Sequence, residues 1–255
     1  MIRFASLGSG SAGNALLVES GATRVLIDCG FGLREITARL GRLGLAPTDL
    51  CGLLVTHEHA DHAGGVYRLA RRHGLPVWLT YGTLQAGAAH AAGVDLRLID
   101  GHRPFALGEL EIEPYTVPHD AREPVQYVLS DGACRLGVLT DAGEITAHIR
   151  RVLDGCQGLV LECNHDARLL AESRYPASLK RRIAGPRGHL ENAAAAGLLA
   201  EIDTSGLQHV VAAHLSGENN RPELAVQALA SALGCDPSWI GVATQETGFD
   251  WRTLA

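Results

Sequence analysis

Three histidines and two acids fall within six residues at His57-Glu58-His59-Ala60-Asp61-His62, directly after the apolar run Leu53-Leu54-Val55. Neutral imidazole nitrogens and carboxylate oxygens are the ligands that zinc, manganese and iron accept. Alternate residues of an extended chain share a face, so His57 and His59 can grip one ion together. Asp61 and His62 fall where the chain turns toward a helix near Gly64, and they can face a second ion beside the first. A lone histidine is more often a capped or surface group. Three with an aspartate at this spacing add nothing to packing, and desolvating them together is costly unless something pairs with them. The pattern reads as a metal site.

Such a site needs a scaffold that ends several strands near one point. Apolar periodicity predicts strands over 2–7, 15–19, 23–28, 52–55, 77–79, 95–99, 110–117, 125–129, 135–140, 158–162, 207–213, 239–243 and 248–251. It predicts helices over 33–43, 64–73, 81–91, 145–153, 188–201 and 222–233. The glycine-serine turn from Gly8 to Asn14 precedes a strand, which excludes a dinucleotide-binding fingerprint. It is either a tight turn or a rim of the site built from backbone N–H groups and hydroxyls. His73, His90 and His102 lack partners at ligand spacing and read as surface groups.

The chain has 255 residues, 46% apolar and 20% charged, ordinary for a globular protein, and reads as one domain over 1–255. No apolar run approaches the ~20 residues that span a bilayer, and the N-terminus lacks a signal-peptide pattern. The expectation is a cytoplasmic protein with no membrane contact. Six scattered cysteines read as reduced core thiols. The net charge of −6 argues against a surface coated in basic groups. The segment 168–187 runs the other way, with Arg168, Arg174, Lys180, Arg181, Arg182 and Arg187 against Glu172 alone. It is either a solvated helix face or an edge that contacts phosphate.

Beyond the first motif, Asp28-Cys29-Gly30 closes a strand, His119 follows another, Thr140-Asp141-Ala142-Gly143 ends a third and His214 ends a fourth. Together these resemble the metallo-β-lactamase superfamily. The resemblance implies an α/β fold, the four-layer αββα sandwich, and two divalent ions (zinc, manganese or iron). His57, His59 and His119 would hold one, Asp61, His62 and His214 the other, with Asp141 bridging and Asp28 orienting ligands from behind. Such a pair presents a bridging hydroxide as nucleophile and clamps both oxygens of an in-line displacement. His189 is the candidate proton donor, and Asp61 the candidate base.

Further motifs narrow the likeness: Gly8-Ser9-Gly10-Ser11-x-Gly13-Asn14, Glu162-x-Asn164-His165-Asp166, Tyr175-Pro176-x-x-Leu179-Lys180-x-Arg182-Ile183, Gly188-His189-Leu190 and His214-Leu215-Ser216-x-Glu218-Asn219-Asn220. They are similar to the YycJ/WalJ-like branch, associated with 5′-to-3′ exonuclease activity on DNA. Too few residues separate His119 from Asp141 for the arm of the tRNase Z enzymes, and the large helical insertion of the β-CASP nucleases has no room. The resemblance implies a phosphodiesterase acting on DNA, with Asn164, His165, Lys180 and Arg182 as candidate substrate contacts. The alternative is a hydrolase of a small cyclic phosphodiester, ester or thioester. A non-catalytic metal module would show a broken ligand set, and this set is intact. Oligomeric state is not legible.

Overall fold

Short apolar runs punctuated by glycine build two seven-stranded sheets. In the computed structural model, which describes residues 1–255, β1 (Ile2–Gly8), β2 (Ala15–Ser20) and β3 (Thr23–Ile27) pair antiparallel in turn. To these β4 (Gly52–Leu54), β5 (Val77–Leu79) and β6 (Leu96–Leu98) add in parallel. The second sheet starts with an antiparallel meander of β7 (Phe105–Leu107), β8 (Leu110–Thr116), β9 (Val125–Ser130) and β10 (Arg135–Leu139). It continues in parallel through β11 (Gly158–Glu162), β12 (His209–Ala213) and β13 (Gly241–Val242). The last strand, β14 (Phe249–Leu254), returns to the first sheet beside β1.

Burial divides into layers. Phe4, Val18, Ile27, Ile112, Tyr127, Val138 and Val211 fill the space between the sheets. Outside the first sheet, helices α1 (Leu33–Arg42), α2 (Ala60–Ala63), α3 (Val66–His73) and α4 (Tyr81–Gly87) follow its strands, and Ile36, Leu40, Val66 and Leu69 pack on Leu17, Leu53 and Val77. The second sheet is accompanied by α5 (Ala147–Leu153), α6 (Ala167–Glu172), α7 (Ala177–Ile183), α8 (Asn192–Glu201) and α9 (Pro222–Leu233), of which α5, α8 and α9 cover its outer face. There Ile149, Leu153, Leu198 and Leu229 cover Leu159, Leu161 and Val210. The result is an αββα sandwich. The strands that alternate with helices read as continuous apolar runs because both of their faces are covered.

Two expected helix bounds are corrected, and the basic segment, open between a helix face and a phosphate-contacting edge, takes a helical form. The helix expected over 188–201 starts only at Asn192, with Glu191 as its N-cap, so His189 sits in the preceding loop. The basic segment folds as two short helices, α6 and α7, neither of which shows an apolar stripe long enough to read. The helix expected from Gly64 is preceded by a separate turn, α2, that contains Asp61 and His62. No helix is long and apolar enough to cross a membrane.

Candidate metal centre

Strand direction gathers the site. β3 and β4 are parallel, as are β10, β11 and β12, and β8 runs the same way as β10 because two antiparallel steps separate them. Their carboxyl ends deliver Asp28, His57, His119, Asp141, Glu162 and His214 to one edge of the sandwich. Ligands of α/β sheets gather at such ends. Two glycines allow the close approach. A Cβ on Gly30 would overlap the Asp61 carbonyl, and one on Gly143 would overlap the backbone at Pro186 and Arg187. Asp28 (φ 60°) and His214 (φ 53°) are the non-glycine residues with left-handed backbone, and both lie here. Such conformations persist where the surroundings over-determine them.

The ligand atoms converge in overlapping groups: His57, His59 and His119; Asp61, His62 and His214; and His57, His62 and Asp141. His59 Nδ1 lies 3.3 Å from His119 Nε2. His214 Nε2 lies 3.4 Å from Asp61 Oδ2, and His62 Nε2 lies 3.5 Å from the same oxygen. Asp141 stands between the groups, with Oδ2 at 3.0 Å from His62 Nε2 and Oδ1 at 3.8 Å from His119 Nε2.

Neighbouring acceptors set the tautomers. His62 Nδ1–H donates to Asp28 Oδ2 at 2.7 Å. The Thr56 hydroxyl donates its one hydrogen to the same oxygen at 2.7 Å, so it must accept from His57 Nδ1–H at 2.9 Å. His119 Nδ1–H donates to the Gly188 carbonyl at 3.0 Å. In each ring the Nε2 lone pair is thereby left for the centre, the usual role of groups behind ligating histidines. Glu162, which sequence reasoning missed, does the same for His214, whose Nδ1–H donates to Oε1 at 3.1 Å. Glu162 also accepts from His189 Nδ1–H at 2.7 Å, and its Oε2 accepts from the backbone N–H groups of Ala142 (2.8 Å) and Leu190 (3.2 Å). Its signal was present: like Asp28, it is an acid that ends a buried apolar strand. Asn14 was also missed as a site residue. Its amide donates to the Asp61 carbonyl at 3.3 Å and its Oδ1 accepts from Gly10 N–H at 2.8 Å. The turn from Gly8 to Asn14 thus braces the site, and Ser9 Oγ accepts from His214 N–H at 2.9 Å.

Charge is balanced by protons in the metal-free chain. Burial alone would lower His62, but the carboxylates of Asp141 and Asp28 push it up to about 10. Burial likewise opposes His214, and Asp141, Asp61 and Glu162 raise it well above the usual imidazole range. Burial would raise Asp141, yet His214 and His62 hold it well below the usual carboxylate range. His57 has no such dominant partner, so burial, reinforced by His62, drives it well down and keeps it neutral.

His57 Nε2, His214 Nε2 and Asp141 Oδ2 are buried without a hydrogen-bond partner. A bare buried polar atom costs about 1–3 kcal/mol, and these three fit divalent cations: His57 and His214 belong to different ligand groups, and Asp141 stands between them. The imidazole and carboxylate donors suit zinc, manganese or iron. The thiols are not among them: no cysteine belongs to the converging ligand groups, and burial pushes Cys29 up to about 12 and raises Cys163 too.

A cleft of about 210 Å³ opens beside the centre. His189, Asn164 and Arg182 line it. Arg182 Nε donates to Asp120 Oδ2 at 2.6 Å, and Asp120 Oδ1 lies 3.5 Å from His119 Nε2. Two expected substrate contacts are placed elsewhere. Lys180 Nζ donates to the Ala171 carbonyl at 2.6 Å, which ties α7 to α6. His165 lines a separate cavity on the other side of His189, because its bridge to Glu191 turns it there.

The model of the β-lactamase superfamily domain matches residues 23–214, and the chain belongs to the metallo-β-lactamase superfamily of hydrolases. Within it, the chain is 36% identical over 236 residues to the exodeoxyribonuclease YycJ of Bacillus anthracis, covering 91% of this chain and 89% of that one. It is 31% identical over 245 residues to the exodeoxyribonuclease WalJ of Streptococcus pneumoniae, covering 94% and 91%. The crystal structure of the metallo-β-lactamase fold protein YhfI from Bacillus subtilis superposes with a TM-score of 0.76 at 14% identity, over 99% of this chain and 100% of that one. That likeness concerns the fold.

Proposed function

We propose that this protein is a dinuclear metal-dependent phosphodiesterase that digests DNA from the 5′ end in the cytoplasm. The observation that carries the reading is Asp141, which stands between the two ligand groups: Oδ2 lies 3.0 Å from His62 Nε2, and Oδ1 lies 3.3 Å from His214 Nδ1 and 3.8 Å from His119 Nε2, and it clusters with His57 and His62. Only a two-oxygen ligand can serve both. Its support is the near full-length similarity to proteins named exodeoxyribonucleases. His57, His59 and His119 would hold one ion, and Asp61, His62 and His214 the other. Divalent ions there supply a nucleophile from water near neutral pH and charge stabilisation for a phosphoryl group.

The remaining work falls to side chains. Asp61 is 24% exposed at its side chain, and His214 and His62 outweigh the effect of burial to keep it ionised, so it can take a proton from the attacking water. His189 is oriented by Glu162 and borders the cleft. Burial opposes its protonation, but Glu162 raises it above the usual imidazole range. When protonated it can donate to the leaving oxygen, the arrangement that general acid catalysis needs.

The test is digestion of duplex DNA labelled at either end, with manganese or zinc added, comparing wild type with His59→Ala. Stepwise loss from the 5′ end, abolished in the variant, is expected. Turnover of a small aryl phosphodiester or thioester without cleavage of DNA would refute the nuclease and favour the small-substrate hydrolase.

A further inference from the structure

On the other flank of the metal motif, Glu58 and Ala60, the chain neighbours of His59, line a groove of about 490 Å³ between α3 and α4. Ala63, Gly64, Ala86 and Ala89 give it a low floor without bulky side chains. Arg68 and Arg71 of α3 line it. Arg122 stands at its rim, where its backbone N–H donates to Glu58 Oε1 at 2.9 Å. Arg39, Arg150 and Arg182 are paired with carboxylates, whereas Arg68, Arg71 and Arg122 are paired with none. Arg71 is fixed by the backbone instead. Its Nε donates to the Ala92 carbonyl at 3.0 Å and one terminal nitrogen to the His90 carbonyl at 2.7 Å, and the other terminal nitrogen is left over. Two polar groups inside the groove also lack partners. Tyr67 is 8% exposed, and its hydroxyl makes no hydrogen bond to the protein. A Cβ on Gly87 would lie 2.3 Å from that hydroxyl, so glycine there leaves it open. Glu58 Oε2 is buried without a partner.

Unpaired cations, a buried hydroxyl donor and a buried acceptor fit a ligand with several anionic oxygens and an amine. A nucleotide chain has both, in its phosphates and in the exocyclic amines of adenine, cytosine and guanine. An inorganic anion lacks the amine and would fill a small part of a space of roughly sixteen waters. We infer that this groove seats the part of the DNA strand that stays bound, beyond the scissile phosphate, with Arg68, Arg71 and Arg122 on its phosphates. The inference rests on the nuclease reading and adds to it a binding surface on the side of the motif away from His189. Chain continuity supports it. Asp120 borders the cleft, and the loop from Asp120 passes Arg122 to Glu123, whose Oε2 accepts from Gly82 N–H at 2.6 Å at the start of α4. A strand that crosses the metal centre therefore leaves over Arg122 into the groove. The low floor lets a sugar–phosphate backbone come close. On a chain of net charge −6, the attraction for DNA is concentrated where the backbone would run rather than spread over the surface. Contacts to phosphates position a strand and carry no sequence information, so the strand can slide forward after each cut without being released.

The experiment uses the metal-loaded protein with a dinucleotide and a single-stranded dodecanucleotide that share a 5′ end. Wild type is expected to show a KM about 100-fold lower for the longer strand, a gap that narrows as salt is added. Arg68→Gln with Arg122→Gln changes two exposed side chains. It is expected to raise KM for the longer strand about tenfold. The slope of log KM against log salt is expected to fall by about 1.4, because each phosphate contact to a single strand contributes about 0.7. Tyr67→Phe removes one hydroxyl and is expected to raise the same KM about fivefold. Arg151→Gln removes an equal charge on α5, where the side chain meets His148, and is expected to alter neither gap nor slope. Gap and slope unmoved in the groove variants, or moved as far by Arg151→Gln, overturn the groove and leave the nuclease standing. Inhibition by free deoxycytidine 5′-monophosphate that is lost in the groove variants while the gap persists assigns the groove to a loose nucleotide and overturns the retained strand. Wild type that digests neither strand and turns over only a small aryl phosphodiester fails the broader reading instead.

Discussion

Glu162→Gln isolates the role of the carboxylate that sequence reasoning did not single out. The side chain is fully buried, and glutamine keeps its shape. Glutamate presents acceptors on both sides: Oε1 to His189 and His214, Oε2 to two backbone N–H groups. An amide has one acceptor side. If its oxygen stays on the backbone donors, its NH₂ meets the two Nδ1–H groups. His214 can then comply only by moving its proton to Nε2, the atom needed by the metal. If the amide flips, the NH₂ faces the N–H groups of Ala142 and Leu190. Either way at least one buried hydrogen bond is lost, a cost of about 1–3 kcal/mol. Groups behind ligands typically change metal affinity 10–100-fold, about 1.4–2.7 kcal/mol. Zinc affinity, measured by competition with a chromophoric chelator, is expected to fall by that factor. At saturating metal, kcat for an aryl phosphodiester is expected to fall by about 100-fold as His189 loses its orienting partner. Metal affinity and kcat both within twofold of wild type would refute the tautomer argument.

Other outcomes follow from the same site. Because His62, at about 10, and His214, also raised, carry protons at pH 7 in the metal-free chain, a cation must displace them. Metal affinity is expected to rise with pH, and titration calorimetry in buffers of different ionisation enthalpy should record proton release on zinc addition; uptake, or no exchange, would contradict the assignment. Gly30→Ala places a methyl against the Asp61 carbonyl. It is expected to cost about 1–3 kcal/mol by overpacking and to lower the metal content per chain, as read by thermal unfolding and elemental analysis.

Composition and local spacing carry far here because ligand chemistry is stringent. His57, His59, Asp61 and His62 sit close in the chain, so their convergence is legible from alternation alone. The superfamily motifs placed Asp28, His119, Asp141 and His214 at strand ends, where the structure has them. Asn164 and Arg182 also reach the cleft, whereas Lys180 and His165 turn aside. Both belong to segments whose direction is set by packing: α7 against α6, and the Glu191 bridge beside α8. The sequence pattern there was charge without periodicity, which does not tell inside from outside.

What the sequence by itself determined is the inventory: a strand-to-turn metal motif, its partners at one earlier and three later positions, and a sandwich of covered strands. Residue type and near-neighbour spacing are enough for the motif, since few other structures would tolerate so many desolvated ligands; the partners and the sandwich came with the resemblance to the superfamily. Only the tertiary structure decided which nitrogen of each imidazole faces the centre, that Glu162 holds both His189 and His214, and that the cleft ends at Tyr175, Leu179 and Ile183. Those facts depend on which strands lie side by side. Asp28 and Thr56 come from different strands, as do Glu162 and His214, and hydrogen bonds between groups distant in the chain leave no periodicity along it.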